Sequence, residues 1–186
     1  PISFYCVTVV SGNVDLLPVA VSVFGLELTV LIRPPKKPYV AEKIVKFRKE
    51  RMGKLVPSHA GSSLALARQL EHGAGVGVLV DQKFRKGLLT KFFGHNVQTN
   101  PLLAKLVRQF GCDVYPARCI RLPDNRYRLE IEPKVEIPLN EKGSVDIQKT
   151  AQLLNDKVES WVREYPGQWL WYHDRWHIKD QVKTDG

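Results

Sequence analysis

The chain has 186 residues, 44% of them hydrophobic and 25% charged, which supplies one domain with a sizeable core and excludes general disorder. A formal net charge of +9 favours polyanionic partners, whether nucleic acid, acidic membrane, phosphorylated substrate or an acidic carrier protein, without choosing among them. Cys6, Cys112 and Cys119 form no C-x-x-C pair, so they read as free thiols of a reducing compartment and not as a disulfide framework or a zinc site.

Residues 2–10 are β-rich and mostly apolar, the pattern of a buried parallel strand. A chain that opens directly on such a strand is expected to lack an N-terminal part of its fold. Ser11-Gly12-Asn13 signals a turn, and a helix is predicted from about 15 to 24, followed by a strand over 28–32. The apolar stretch 16–32 is interrupted by Pro18, Gly25 and Glu27, and it falls short of the ~20 clean apolar residues of a spanning helix. After Pro34-Pro35 and Pro38, helical spacing over 40–52 places Val40, Ile44 and Phe47 on one inward face, and Gly53 stops the helix. Further helices are predicted over 61–72, after the N-cap and proline of Asn100-Pro101, and over 147–165 with Ala151, Leu154, Val158, Trp161 and Val162 inward. Strands are predicted over 76–80, 114–120 and 127–131, the last two joined by a turn at Pro123-Asp124-Asn125. An aromatic strand or loop follows at 169–176. Alternating strands and helices imply an α/β fold with a largely parallel central sheet flanked by helices. The expected domain covers 1–178, with a polar tail over 179–186.

Ligands of such sheets gather at the carboxyl ends of the strands. Asp15 follows the first strand, either as the N-cap of the next helix or as a site carboxylate. Asp81 follows a wholly apolar strand and precedes the basic loop Gln82-Lys83-Phe84-Arg85-Lys86-Gly87; buried there, it requires a cationic neighbour, structural or catalytic. The segment 33–54 holds nine Lys or Arg against Glu42 and Glu50, a basic face suited to phosphate, an anionic bilayer or a nucleic acid, with Arg48 at the core edge beside Phe47. Trp169, Trp171, Tyr172 and Trp176 read as core and edge packing before base stacking or a membrane belt, and His173 and Arg175 beside them are within reach of a ligand. His59, His72, His95 and His177 share no metal-ligand spacing with one another, and no Walker loop, dinucleotide fingerprint or G-x-S-x-G elbow is present.

Several blocks in order resemble one family: Ser11-Gly12-Asn13-Val14-Asp15, Ile32-Arg33-Pro34-Pro35-Lys36-Lys37-Pro38-Tyr39, Val78-Leu79-Val80-Asp81-Gln82, Phe92-Phe93-Gly94, and Tyr165-Pro166-Gly167-Gln168-Trp169-Leu170-Trp171-Tyr172-His173-Asp174-Arg175-Trp176. Together they are similar to the lipid A late acyltransferases of lauroyl/myristoyl type, in wording close to the alphaproteobacterial branch, whose fold is glycerolipid-acyltransferase-like. The family carries an N-terminal membrane segment, which this chain is expected to lack. The resemblance implies transfer of an acyl chain from acyl carrier protein to a lipid A precursor at the cytoplasmic face of the inner membrane. It implies no cofactor, no metal and no nucleic acid. By position Asp15 matches the acid of a His-x4-Asp/Glu dyad, Arg48 a phosphate or oxyanion contact, and Asp81 a residue that fixes a basic neighbour. Asn13, Arg33, Lys83 and Arg85 are the expected substrate-binding residues. Val10 stands where the family has its histidine. The alternatives are an altered motif in an otherwise intact enzyme, a lipid- or carrier-binding protein without activity, or a substitute base at His59 or His95.

Overall fold

Six short runs of mostly apolar residues assemble into one sheet in the order β3-β2-β4-β1-β7-β8. These strands are β1 (Phe4–Thr8), β2 (Leu28–Ile32), β3 (Lys54–Pro57), β4 (Gly75–Leu79), β7 (Asp113–Arg121) and β8 (Tyr127–Ile131). The computed structural model describes residues 4–8, 13–33, 37–59, 61–171 and 174–176, so Val10, Tyr172, His173 and the tail expected over 179–186 lie outside the described residues. The first five strands of the sheet are parallel to one another, and β8 returns antiparallel along β7. A separate antiparallel hairpin pairs β5 (Leu88–Phe92) with β6 (His95–Thr99). The fold is therefore α/β: its main sheet is largely parallel, as expected, while β8 and the separate hairpin make the pairing mixed as a whole. The antiparallel additions follow from short connections, which cannot cross over to a parallel neighbour.

Residue alternation sorts the strands between two unequal layers. On one face Leu28, Val30 and Ile32 pack against Leu17 and Val21 of α1 (Leu16–Val23), with Val45 of α2 (Pro38–Arg51) at the margin. On the other face Val76, Val78 and Val114 meet α3 (Ser62–Glu71), α4 (Leu102–Phe110) and Leu154 of α5 (Ile147–Glu164) in a larger core. Gly111 ends α4 in the left-handed conformation, at φ +63°, that its sequence position predicts. The 14-residue α2 starts at Pro38 and buries none of its residues. Val40 and Phe47, expected inward, are exposed, because α2 rests on the body only through Ala41, Ile44, Val45 and Arg48.

Helix α5 also closes the hairpin. Its N-cap Asp146 accepts from Lys149 N–H at 2.9 Å. Gln152 then bonds both backbone groups of Lys91, accepting from its N–H at 2.8 Å and donating to its carbonyl at 3.0 Å. Gln148 donates to the Leu89 carbonyl at 2.6 Å. Side chains one helical turn apart thus satisfy backbone groups of β5 that a further strand would otherwise take.

Core and surface positions are expected to separate sharply in urea unfolding. Leu66→Ala should cost about 2–5 kcal/mol by cavity formation, whereas Phe47→Ala should stay within about 0.5 kcal/mol; similar losses for both would contradict the outward orientation of Phe47. Glu132, just after β8, gives an acid-range prediction. Burial opposes its ionisation, but hydrogen bonds from Lys157 and Trp161, both at 2.7 Å, outweigh this and hold its carboxyl below the ordinary glutamate range. Its stabilisation is complete above the unfolded pKa and is lost as the pH falls through the lower folded value. Glu132→Gln should therefore flatten the acid limb of stability against pH, and an unchanged limb would contradict the assignment.

Candidate active site

Strands β1 and β4 are parallel neighbours, with Thr8 opposite Leu79 at their carboxyl ends. The segments that carry Asp15 and Asp81 leave from this edge of the sheet. Asn13 shapes the first of them: its Oδ1 accepts the Asp15 N–H at 3.1 Å. The Asn13 backbone also hydrogen-bonds the Cys119 thiol of β7, which burial pushes up in pKa against that bond and the charge of Arg121.

Asp15 occupies the N-cap position of α1, yet its side chain does not cap the helix. It turns to α2, where Arg48 holds both carboxylate oxygens: Nη2 lies 3.0 Å from Oδ1 and 3.2 Å from Oδ2, and Nε lies 3.3 Å from Oδ2. Arg48 reaches it because it shares the body-facing stripe of α2 with Ala41, Ile44 and Val45, at i, i+3, i+4 and i+7. A forked guanidinium–carboxylate contact of this kind is fixed in direction as well as in charge.

Asp81 is 2% exposed, and Trp169 Nε1 donates to its Oδ2 at 2.8 Å. The cationic neighbour expected for it is Arg175. This guanidinium is itself 1% exposed; burial lowers its pKa, and the Asp81 charge counters that shift. Arg175 does not project towards a ligand, contrary to expectation. Its Nη1 donates to the Gln82 carbonyl at 2.6 Å, and its Nη2 donates to Asn155 Oδ1 at 2.8 Å and Thr99 Oγ1 at 3.2 Å. Asn155 in turn donates to Thr90 Oγ1 at 2.8 Å and Thr99 Oγ1 at 2.9 Å. Lys83 pairs with Asp174 at 3.4 Å. At the far end of this loop Gly87 lies so close to β6 that a Cβ there would stand 2.2 Å from the Thr99 carbonyl oxygen. The loop from Asp81 to Gly87 is thereby held from beneath by α5, the hairpin and the chain's last described segment.

The structure brings Asp15 together with Arg48, with Asn13 in the same turn, and it joins Asp81 to Arg175 through charge. Arg33 and Arg85 are exposed and form no salt bridge among the described residues. His59 is exposed at the end of β3, where its Nδ1 accepts the Gly61 N–H at 3.0 Å, and His95 is exposed on β6. The Asn155–Thr90–Thr99 network escaped the sequence analysis. Its only signal was one amide, Asn155, inside the apolar stripe of α5. Among the described residues no group of His, Cys, Asp and Glu is placed to hold a metal ion, and no helix is long and apolar enough to cross a membrane.

This is an α/β protein in which Asp15 and Asp81 follow the carboxyl ends of neighbouring parallel strands of a mainly parallel sheet. The family model described as bacterial lipid A biosynthesis acyltransferase matches residues 6–178, and the chain belongs to that family. No curated protein matches the chain.

Trp169 and Asp81 are expected to be energetically coupled. Trp169→Phe removes the donor and leaves a buried carboxylate oxygen short of a hydrogen bond, at a cost of about 1–3 kcal/mol. In a double-mutant cycle with Asp81→Asn, urea unfolding should show an interaction energy of at least about 0.5 kcal/mol, and strict additivity would contradict the contact.

Proposed function

We propose that this chain has the scaffold of an enzyme that moves a fatty acyl chain from acyl carrier protein to a hydroxyl of a lipid A precursor, at the cytoplasmic face of the inner membrane. The observation that carries this reading is the family match across residues 6–178. Asp15 and its bond to Arg48 at the sheet's carboxyl edge are consistent with it.

In a His–acid dyad, the imidazole takes the proton of the acceptor hydroxyl. The oxygen attacks the thioester carbonyl, and the new C–O bond forms as the C–S bond breaks. The proton then passes from the imidazolium to the departing carrier thiolate. The acid orients the imidazole and offsets its charge. Asp15 is assigned the acid's role, and Arg48 is assigned a contact to a phosphate or the oxyanion. Asp81 fixes the loop that offers Lys83 and Arg85, which bind substrate together with Asn13 and Arg33. The carrier protein delivers the acyl group, and no cofactor enters this scheme. Val10 has no lone pair with which to accept a proton, so the base half of the dyad is missing.

A second reading is a disabled paralogue that binds lipid or carrier protein without transfer. Two observations favour it: the valine, and the engagement of both Asp15 oxygens by Arg48, a cation that neutralises the acid without an imidazolium.

Transfer of a labelled acyl group from acyl carrier protein to a lipid A precursor tests the proposal. The natural chain should show no transfer above its Asp15→Asn variant. Val10→His should raise the rate by roughly 100-fold or more, the usual contribution of a placed general base, and Asp15→Asn should remove that gain. Failure of Val10→His to transfer, with binding of precursor or carrier retained, would favour the paralogue. Transfer by the natural chain that His59→Gln or His95→Gln abolishes would overturn the missing-base assignment.

A further inference from the structure

Helix α2 carries four side chains at one-turn intervals, Tyr39, Lys43, Phe47 and Arg51, which form an outward ridge of alternating aromatic and cationic groups. The alternation is physical as well as sequential. Lys43 Nζ stands 4.5 Å from the Tyr39 ring centre, and the Arg51 guanidinium carbon stands 4.2 Å from that of Phe47. Tyr39 is 67% exposed and Phe47 50%. The opposite side of the same helix is the one that holds Arg48 on Asp15.

A second apolar feature adjoins the ridge's C-terminal end. The turn after α1 presents Val23 at 77% and Phe24 at 81% exposure, with Leu26 beside them. Helices α1 and α2 touch, and both run back along the sheet, so their C-terminal ends emerge at the same edge. Gly53, just after α2, lies so near the start of β2 that a Cβ there would stand 2.9 Å from the Leu28 carbonyl oxygen. Lys54 and Glu27 are 3.9 Å apart at the same place. Exposed aliphatic and aromatic groups therefore sit beside a basic helix within a segment, 33–54, that has nine cations to two anions.

We propose that the α2 ridge and the turn after α1 form a docking surface for an anionic lipid bilayer. Aromatic groups with cations beside them suit the headgroup boundary, where rings and aliphatic stems enter the interface while the charges remain among phosphates. Anionic lipid supplies the charge complement to the helix. An acidic soluble partner would meet the same cations but would leave Val23 and Phe24 in water, which favours the bilayer. The identity of this surface rests on the lipid-acceptor reading given above. Docked in this way, α2 would lie between the headgroups and the Arg48–Asp15 pair on its body-facing side.

Flotation of the full chain with vesicles tests the surface without requiring turnover. The chain should bind vesicles of phosphatidylcholine mixed with phosphatidylglycerol, and it should bind pure phosphatidylcholine weakly. Replacing Lys43 and Arg51 together by Gln should weaken that binding about 30-fold, since each cation near an anionic surface contributes roughly 1 kcal/mol. Tyr39→Ser with Phe47→Ser should weaken it at constant charge, and Lys105→Gln on α4 should not. All these positions are solvent-facing, and unchanged thermal melting confirms folding. Full binding by both double variants would overturn the proposal, as would absence of binding to the mixed vesicles. Loss of acyl carrier protein binding in the Lys43/Arg51 variant, with vesicle binding intact, would assign the ridge to the carrier instead. If the ridge variants lose vesicle binding while Val10→His shows no transfer, docking stands and the enzymatic reading fails; the reverse pattern fails docking alone.

Discussion

Arg175 is a guanidinium placed almost wholly inside the protein, and three other segments of the chain supply its counter-charge and hydrogen-bond acceptors. An ion taken out of water is costly unless opposite charge and hydrogen-bond acceptors replace the solvent. Here Asp81 supplies the charge, and Gln82, Asn155 and Thr99 supply acceptors. These groups come from the loop after β4, from α5 and from the hairpin, while Arg175 itself comes from the end of the described chain. The network therefore joins four pieces of chain that are distant in sequence, and each becomes a condition for the others. The loop that carries Asp81, Lys83 and Arg85 leaves the sheet in a set direction because its backbone is held at Gln82, and because Gly87 permits close approach to Thr99.

The other half of the site depends on a helix with almost no share in the core. Helix α2 contributes Arg48 inward and its ridge of aromatic and basic groups outward, and it buries no residue of its own. Among the described residues its layer of the sheet is the thinner one, shared with α1. A helix so little used for packing can serve two surfaces. Arg48 anchors it to Asp15, so a change at the outer face is mechanically close to the carboxylate that the family resemblance assigns to the dyad.

Much of the architecture was legible because local pattern and tertiary structure agree. The strand over 28–32, the helix with Ala151, Leu154, Val158, Trp161 and Val162 inward, and the β7–β8 hairpin all emerge as their periodicity dictates. The orientation of α2 was misread. Val40, Ile44 and Phe47 have the spacing of a core stripe, but a ring stacked against a neighbouring cation is tolerated in solvent, and periodicity cannot distinguish the two. The β5–β6 hairpin was hidden because its backbone is completed by Gln148 and Gln152 of a distant helix. Arg175 looked like a ligand group because nothing local reveals that Asn155 and Thr99 await it inside. Asp15 and Asp81 were legible as candidates from their positions after apolar strands; that Arg48 takes Asp15, while Asp81 lies under Trp169, required the tertiary structure.

The central claim is that residue 10 is the base position of a dyad whose acid is Asp15. Titration of the Val10→His imidazole by NMR tests it most directly. The new resonance can be told apart from the five natural histidines by comparison with the unmodified chain. A carboxylate partner stabilises the imidazolium, so the imidazole pKa should lie above the ordinary value of about 6.5. It should fall back when Asp15→Asn is added. An imidazole that titrates at the ordinary value or below, and is indifferent to Asp15→Asn, would contradict the dyad.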